Sequence, residues 1–312
     1  MTPAPVAIID IGSNSIKLLV AGAGPEGRPV ALRTKTLDAR ISAGISAERP
    51  ALAEEGMTRG LAAVQDLLAE AASEQPRRIV LAATSAVRDA ANGAEFRARV
   101  QAATGHAIRI LTGDEEANLI GRGLACDPAL AGLRDFYLFD LGGGSLECLA
   151  FRERRAVREV SLRLGCVRLT EKFVPDPAAP FPAAAGEAIA RHTREAFAAA
   201  SFAFSLPPGA SVIGTGGTLT NVRATAGARQ GLPLEATGTL LPVAELRAML
   251  AWLGALPLAE RRGVPGLPPA RADVFPAALA TLIAVAELGG FAAYRHSLYN
   301  LRWGLAAEEL GL

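Results

Sequence analysis

The chain has 312 residues, of which half are hydrophobic and 20% are charged, so it can bury a sizeable core and is not a disordered segment. At about 100–200 residues per domain, this length indicates two domains. Lysine and arginine number 32, and aspartate and glutamate 31. A net charge of +1 argues against coating nucleic acid or an anionic membrane as the main role.

No export, disulfide or membrane signal is evident. Residues 1–6 have neither a basic start nor an apolar signal core. The cysteines form no CxxC pair, which argues against a zinc ribbon or a disulfide framework. They are Cys126, Cys148 and Cys166. The uncharged stretch 196–222 could span a bilayer by length, but Pro207, Pro208 and Gly209 interrupt it. We expect a cytoplasmic protein with no membrane or nucleic-acid partner.

Hydrophobic patterning predicts alternating strands and helices in the first part of the chain. The predicted strands are residues 6–11, 16–21, 29–36, 79–83 and 107–111. The predicted helices are residues 52–72, 90–103 and 115–124.

The same alternation continues to the end, and together the two parts indicate an α/β fold. The predicted strands are residues 136–141, 146–151, 156–162, 211–213 and 296–299. The predicted helices are residues 184–200, 218–227, 243–253 and 275–288, with a terminal helix from Trp303.

A repeat divides the chain. VAIIDIGSNS at residues 6–15 resembles FYLFDLGGGS at residues 136–145, with Asp, Gly and Ser at the same offsets. Each copy reads as an apolar strand, an Asp-x-Gly turn and a second apolar strand. The repeat predicts two similar domains, residues 1–128 and 129–312, whose turns face one cleft. The terminal helix is expected to pack back on the first domain.

The two turns carry groups suited to phosphate. Glycine lets a phosphate approach the backbone N–H groups closely, and hydroxyl and amide side chains add donors. The candidates are Ser13, Asn14, Ser15, Gly142, Gly143, Gly144 and Ser145. Asp10 and Asp140 close the preceding strands and can hold Mg²⁺. An ordinary β-hairpin would explain either turn alone, but the matched pair favours binding.

A third glycine-rich turn lies at residues 212–218, between a predicted strand and a predicted helix. Its candidates are Gly214, Gly216 and Gly217. The N–H groups that open a helix suit an anion. A plain strand-to-helix turn is the alternative.

Five motifs in order resemble the exopolyphosphatase/guanosine pentaphosphate phosphohydrolase (Ppx/GppA) family of the actin-like ATPase superfamily. They are DIGSNS at 10–15, TSAVR at 84–88, GDEEA at 113–117, DLGGGSLE at 140–147 and GTGGT at 214–218. The length matches the short form of the family, without the C-terminal helical region of longer members. The resemblance implies two actin-like (ribonuclease H-like) domains with an interdomain cleft.

The resemblance also implies an activity. The expected reaction is Mg²⁺- or Mn²⁺-dependent hydrolysis of the terminal phosphoanhydride bond of inorganic polyphosphate, which releases orthophosphate. The alternative is conversion of guanosine pentaphosphate (pppGpp) to ppGpp. An ATP-dependent kinase and a non-hydrolytic polyphosphate or alarmone sensor are further alternatives. A homodimer is expected by family analogy only.

The resemblance assigns two carboxylates. Glu116 matches the proposed catalytic base of the family, although helix capping is the ordinary interpretation of Glu115 and Glu116. Glu147 matches a residue that positions water or metal, together with Asp10 and Asp140 as metal ligands. A solvent-facing strand residue is the alternative for Glu147.

Arginines are the candidate phosphate clamps. Arg88 follows a predicted strand and can bind a phosphate bidentately, or form a salt bridge with Asp89 or Glu95. Other basic residues could form a track for a long polyanion, although a solvated hairpin face is the alternative for those at residues 152–158. They are Arg152, Arg154, Arg155, Arg158, Arg163, Arg168, Lys172, Arg261, Arg262 and Arg271.

Overall fold

The computed structural model describes residues 4–207 and 209–312, which form two compact units. The first unit extends to Gly132 and includes Tyr299–Leu312, and the second is Leu133–Leu298. Residues 1–3, part of the segment inspected for an export signal, and Pro208, one of the residues that interrupt the uncharged stretch 196–222, lie outside the described residues. The predicted domain division between residues 128 and 129 stays a prediction. Within the described ranges, no helix combines the length and the apolar character needed to cross a bilayer.

The first unit is built on a five-stranded sheet. Its strands are β1 (Val6–Ile11), β2 (Ile16–Ala23), β3 (Pro29–Leu37), β4 (Arg78–Ala83) and β5 (Ile108–Ile110). Their order is β3-β2-β1-β4-β5, with β1, β2 and β3 antiparallel and β4 and β5 parallel to β1. The apolar run of β1 is buried on both faces, as expected for a central strand covered by helices.

Four helices of this unit follow in chain order: α1 (Glu54–Ala72), α2 (Ser85–Arg88), α3 (Gly93–Thr104) and α4 (Gly113–Ala125). The helix predicted from residue 90 begins at Gly93. The residue before it, Asn92, does not cap the helix with its side chain. Instead that side chain binds the backbone N–H and C=O of Leu52, at 2.8 and 2.9 Å.

The second unit is built on a six-stranded sheet. Its strands are β6 (Phe136–Leu141), β7 (Leu146–Arg152), β8 (Arg155–Leu162), β9 (Ser211–Thr215), β10 (Leu240–Pro242) and β11 (Ala293–His296). The order is β10-β11-β9-β6-β7-β8. Without β10, this sheet repeats the order and strand directions of the first one. The predicted α/β class with two similar units is therefore confirmed.

Six helices complete the second unit. They are α5 (Cys166–Phe173), α6 (Ala183–Ala199), α7 (Gly216–Ala228), α8 (Val243–Ala255), α9 (Leu258–Arg261) and α10 (Phe275–Gly289). Helix α10 is apolar on nearly every face because it is covered by α5, α6 and α8.

Two sequence expectations differ from the structure. The last strand ends at His296 instead of beginning there, and the Ser297 N–H binds the Gly214 carbonyl at 3.0 Å. The strand β10 and the short helices α2, α5 and α9 were not predicted. A helix of four to eight residues spans only one or two turns, which is too short for a 3.6-residue period to be recognised.

The terminal helix α11 (Leu301–Leu310) belongs to the first unit, where it packs on α4, β1 and β2. Where α11 meets α4, glycines lie directly against backbone atoms of the other segment. A Cβ on Gly304 would lie 1.9 Å from the Leu119 carbonyl oxygen, and one on Gly123 would lie 2.0 Å from that of Asn300. Both positions therefore require glycine for this close approach.

Candidate functional site

The β1–β2 turn of the first unit is a closed loop held from outside by residues 40–42. The Gly12 N–H donates to the Ser15 carbonyl at 3.2 Å. The carbonyl of Ser13 accepts from the Ser42 hydroxyl at 3.0 Å, and that of Asn14 accepts from the Arg40 N–H at 2.9 Å. Ser13, Asn14 and Ser15 are all buried, so this turn is a fixed structure and not a flexible hairpin tip.

Asp10 ends β1 beside this turn, directly opposite Lys17 in the β1–β2 pair. Burial raises the pKa of the Asp10 carboxyl, and the nearby charges of Lys17 and Arg302 oppose that rise. A nearby cation stabilises the ionised form of a carboxylate that is desolvated in this way.

Glu116 is buried in the first turn of α4 and pairs with Arg88 at the end of α2. The Arg88 Nη1 donates to Glu116 Oε2 at 3.2 Å and to the Leu111 carbonyl at 2.8 Å. Arg88 also contacts Asp89, its Nε lying 3.4 Å from Oδ1, whereas Glu95 pairs with Arg99. The predicted salt bridge with Asp89 is therefore present, and phosphate binding by Arg88 stays a prediction.

Glu115 has a different role from its neighbour. It forms a capping box with Thr112: Glu115 Oε2 accepts from the Thr112 N–H at 2.9 Å, and the Glu115 N–H donates to Thr112 Oγ1 at 3.1 Å. The hydrogen bond from the Thr112 backbone, helped by Arg109, lowers the pKa of the Glu115 carboxyl. The capping interpretation therefore holds for Glu115, and Glu116 is left to face Arg88.

The β6–β7 turn of the second unit has the same closure as its counterpart. The Gly142 N–H donates to the Ser145 carbonyl at 3.0 Å, and Ser145 is buried. The carbonyls of Gly142, Gly143 and Gly144 all accept hydrogen bonds from the start of α5. This second turn is therefore also fixed by an element outside the repeat.

Asp140 and Glu147 lie directly opposite each other in the antiparallel β6–β7 pair. Glu147 is 2% exposed, and its Oε1 accepts from the Ser161 hydroxyl at 2.9 Å. Asp140 Oδ2 accepts from the Thr215 hydroxyl at 3.0 Å. The solvent-facing alternative for Glu147 is therefore wrong.

The third turn joins β9 to α7 beside Asp140. Gly216 has a φ of +84°, and a Cβ there would lie 2.0 Å from Asp140 Oδ1. Gly214 in β9 and Gly217 in the first turn of α7 flank it. The second unit therefore brings together two predicted glycine-rich turns and the predicted carboxylates Asp140 and Glu147.

Some predicted residues are not where a polyanion track would need them. Arg168, Arg261 and Arg271 are buried. Arg261 is 1% exposed and donates to the carbonyls of Leu253, Leu256 and Ala272 at 2.7–3.0 Å. Because all three arginines are buried, their assignment to a surface track is wrong.

The donor set fits a hard divalent cation. Mg²⁺ is commonly held by one or two carboxylates together with substrate phosphates and water. The Asp140–Glu147 pair supplies two such carboxylates on neighbouring strands. Throughout residues 4–207 and 209–312, no three Asp, Glu, His or Cys side chains cluster as a self-sufficient metal site.

Sequence reasoning missed the residues that support the turns and Glu147. Ser42, Ser161 and Arg168 lie outside the five motifs, and Gly165 precedes an unpredicted helix. Only Gly165 carries a local signal, because it is a glycine before a segment with helical apolar spacing. Ser42 and Arg168 bind the turns, and Ser161 binds Glu147, through contacts between residues that are distant in sequence.

Comparison with known proteins agrees with this geometry. A model of the Ppx/GppA phosphatase family matches residues 23–311. The chain is 32% identical to the Mycobacterium tuberculosis H37Rv protein named exopolyphosphatase 2 over 280 residues, or 86% of each chain. It is also 32% identical over 171 residues to guanosine-5'-triphosphate,3'-diphosphate pyrophosphatase of Pseudoalteromonas translucida, which covers 54% of this chain and 33% of that protein.

Among solved structures, an exopolyphosphatase from Cytophaga hutchinsonii matches with a TM-score of 0.86 at 22% identity. The match covers 98% of both chains. This likeness extends over both units and supports the fold described above.

Proposed function

Because the chain belongs to the Ppx/GppA phosphatase family, we propose that it is an exopolyphosphatase that removes the terminal phosphate of inorganic polyphosphate. The observation that carries the proposal is the ion pair of the buried Glu116 with the partly buried Arg88. It supplies a carboxylate base beside a phosphate-binding guanidinium, while Glu115 is committed to the helix cap.

The proposed reaction is attack of water on the terminal phosphorus. Glu116 accepts a proton from the water as its oxygen bonds to phosphorus. The bond between that phosphorus and the bridging oxygen breaks, and the electron pair stays on the shortened chain. Orthophosphate is the other product. Arg88 offsets the negative charge of the transferred phosphoryl group and holds the Glu116 carboxylate in place.

The glycine-rich turns would bind the phosphates. Backbone N–H groups of the three turns are the proposed donors, apart from those of Gly12 and Gly142, which close the turns by binding the Ser15 and Ser145 carbonyls. Asp140 and Glu147 would hold Mg²⁺ or Mn²⁺, which when bound neutralises charge on the phosphate oxygens. Asp10 stays a predicted ligand, although its cross-strand neighbour is the cation Lys17.

Hydrolysis of pppGpp to ppGpp is the second candidate. Both substrates end in a phosphoanhydride, so the same base, guanidinium and turns would serve. The Pseudoalteromonas translucida relative favours this activity, whereas the longer match to exopolyphosphatase 2 favours polyphosphate. The cytoplasmic location, the homodimer and the interdomain cleft stay predictions.

The test is orthophosphate release from long-chain polyphosphate, pppGpp and ATP in parallel, with Mg²⁺ and then with Mn²⁺. Glu116→Gln is assayed beside the wild type, and Glu115→Gln is the matched control. We expect release from polyphosphate that Glu116→Gln loses and Glu115→Gln keeps. Release from pppGpp alone would select the second candidate. Phosphate transfer to an acceptor, or binding without turnover, would point to a kinase or a sensor.

A further inference from the structure

One helix start binds all three glycine carbonyls of the β6–β7 turn. Gly142 O accepts from the Cys166 N–H at 3.0 Å. Gly143 O accepts from the next two N–H groups of α5 at 2.9 and 3.3 Å. Gly144 O accepts from the Arg168 Nε at 3.0 Å, the one bond of the set that a side chain makes.

This pattern fixes the direction of the next N–H groups. In a planar trans peptide, the C=O of one residue and the N–H of the next point in roughly opposite directions. Three carbonyls turned toward α5 therefore turn the N–H groups of Gly143, Gly144 and Ser145 away from it. Successive N–H groups directed to one side form a concavity that binds anions.

Glycine makes this arrangement dependent on outside support. Gly142, Gly143 and Gly144 have no Cβ to restrict their backbone angles, so each peptide plane could rotate at little steric cost. Helix α5 can supply that support only by lying very close. A Cβ on Gly165 would lie 2.3 Å from backbone atoms of Gly143 and Gly144.

We infer that Arg168 is a positioning residue, which locks the Gly144–Ser145 peptide so that the Ser145 N–H stays directed to the phosphate. The side chain is 7% exposed, which leaves it beneath the turn and not in contact with substrate. Its place in the reaction rests on the proposed function, but its effect on anion binding does not. The same reasoning explains why an arginine occurs at a buried position where a neutral apolar residue would normally lie.

The test compares Arg168→Met, Arg168→Lys and Arg261→Met. Arg261 is the matched control because it is also a buried arginine of the second unit that binds main-chain carbonyls, at a place away from the turn. Two experiments are made well below each variant's thermal unfolding midpoint: the first gives KM and kcat for polyphosphate, and the second gives the Kd for polyphosphate in a Glu116→Gln background. The second needs no turnover.

We expect Arg168→Met to raise the Kd and KM about ten- to hundredfold, as for loss of a hydrogen bond from a charged donor. Arg168→Lys should fall between wild type and Arg168→Met. Arg261→Met should lower the unfolding midpoint and leave the Kd unchanged. A wild-type Kd in Arg168→Met, or equal losses in the Arg168 and Arg261 variants, would overturn the inference.

Three further outcomes are also decisive. If Arg168→Met does not fold, Arg168→Lys decides, because a wild-type Kd in that variant rejects the role. If Glu116→Gln binds polyphosphate but the wild type releases no orthophosphate, the proposed function fails and the inference stands. If the parent protein binds no polyphosphate, the inference fails.

Discussion

Glu147 is the direct cross-strand neighbour of Asp140, which places two carboxylates side by side on one face of the second sheet. Directly opposed residues in an antiparallel pair have Cβ atoms about 4.5–5.5 Å apart, a spacing at which two bare carboxylates repel each other. In the first unit, Lys17 takes the place of Glu147 opposite Asp10. The two copies of the repeat therefore differ. The Asp140–Glu147 pair needs a bound cation to offset its two negative charges, whereas Asp10 already has the positive charge of Lys17 opposite it.

The carboxylate pair predicts a specific dependence on divalent ions. Glu147→Gln removes one negative charge, so we expect orthophosphate release to need at least tenfold more Mg²⁺ for half-maximal rate. Ser161→Ala removes only the hydrogen bond to Glu147 and should give a smaller shift in the same direction. The measurement is a Mg²⁺ titration at saturating polyphosphate.

The matched control is Glu153→Gln, an exposed acid at the far end of the same strands that pairs with Arg134. It should leave the Mg²⁺ titration unchanged. An unaltered titration in Glu147→Gln would remove this residue from the metal site.

Substitutions of the neighbours Glu115 and Glu116 should have different effects, the first on stability and the second on activity. Glu115→Ala breaks the capping box, so we expect it to lower the free energy of unfolding by about 0.5–1 kcal/mol with little change in kcat. Glu116→Gln should lower kcat by about 100-fold or more through loss of the base. Denaturant unfolding and steady-state kinetics of both variants check this, and the opposite pattern would exchange their roles.

The sequence predicted the strands well where the repeated motif, an apolar strand followed by an Asp-x-Gly turn and a second apolar strand, occurs. Strands β1 and β6 have the predicted bounds, and β2 and β7 agree within two residues. It could not separate Glu115 from Glu116, since the choice depends on which carboxylate turns back to Thr112. It also placed Arg168 on the surface, whereas the side chain is buried. Charged residues are rarely buried, and the sequence does not show that the Gly144 carbonyl accepts a hydrogen bond from this guanidinium.

The first turn should respond to Ser42 as the second responds to Arg168. Ser42→Ala removes the 3.0 Å hydrogen bond to the Ser13 carbonyl, so the Ser13–Asn14 peptide is less firmly oriented. The backbone N–H of Ser42 still reaches that carbonyl at 3.3 Å, so the expected effect is a modest two- to tenfold rise in KM.

The control for Ser42→Ala is Ser46→Ala, at a nearby position that is partly exposed. Both variants are assayed on polyphosphate, and their unfolding midpoints are compared. Equal KM values for the two would show that the Ser42 hydroxyl does not support the turn.

His296 predicts how stability depends on pH. Burial, with a smaller contribution from Arg223, lowers the pKa of this imidazole to about 3. The Thr220 hydroxyl donates to the Gly216 carbonyl at 2.8 Å, so it accepts from the His296 Nε2, 3.2 Å away. Nδ1 is buried without a hydrogen-bond partner. The folded protein therefore keeps this ring neutral.

The unfolded chain binds a proton at this histidine near pH 6.5, whereas the folded chain does not until about pH 3. Between these values the unfolded state holds more protons, so stability falls as the pH falls. From pH 7.5 to 5.5, His296 should cost the wild type about 1.4 kcal/mol of unfolding free energy. In His296→Gln, whose amide can still donate to Thr220, this part of the loss should be absent. Denaturant unfolding of both proteins at the two pH values measures the difference, and equal losses would mean that the folded protein does protonate His296.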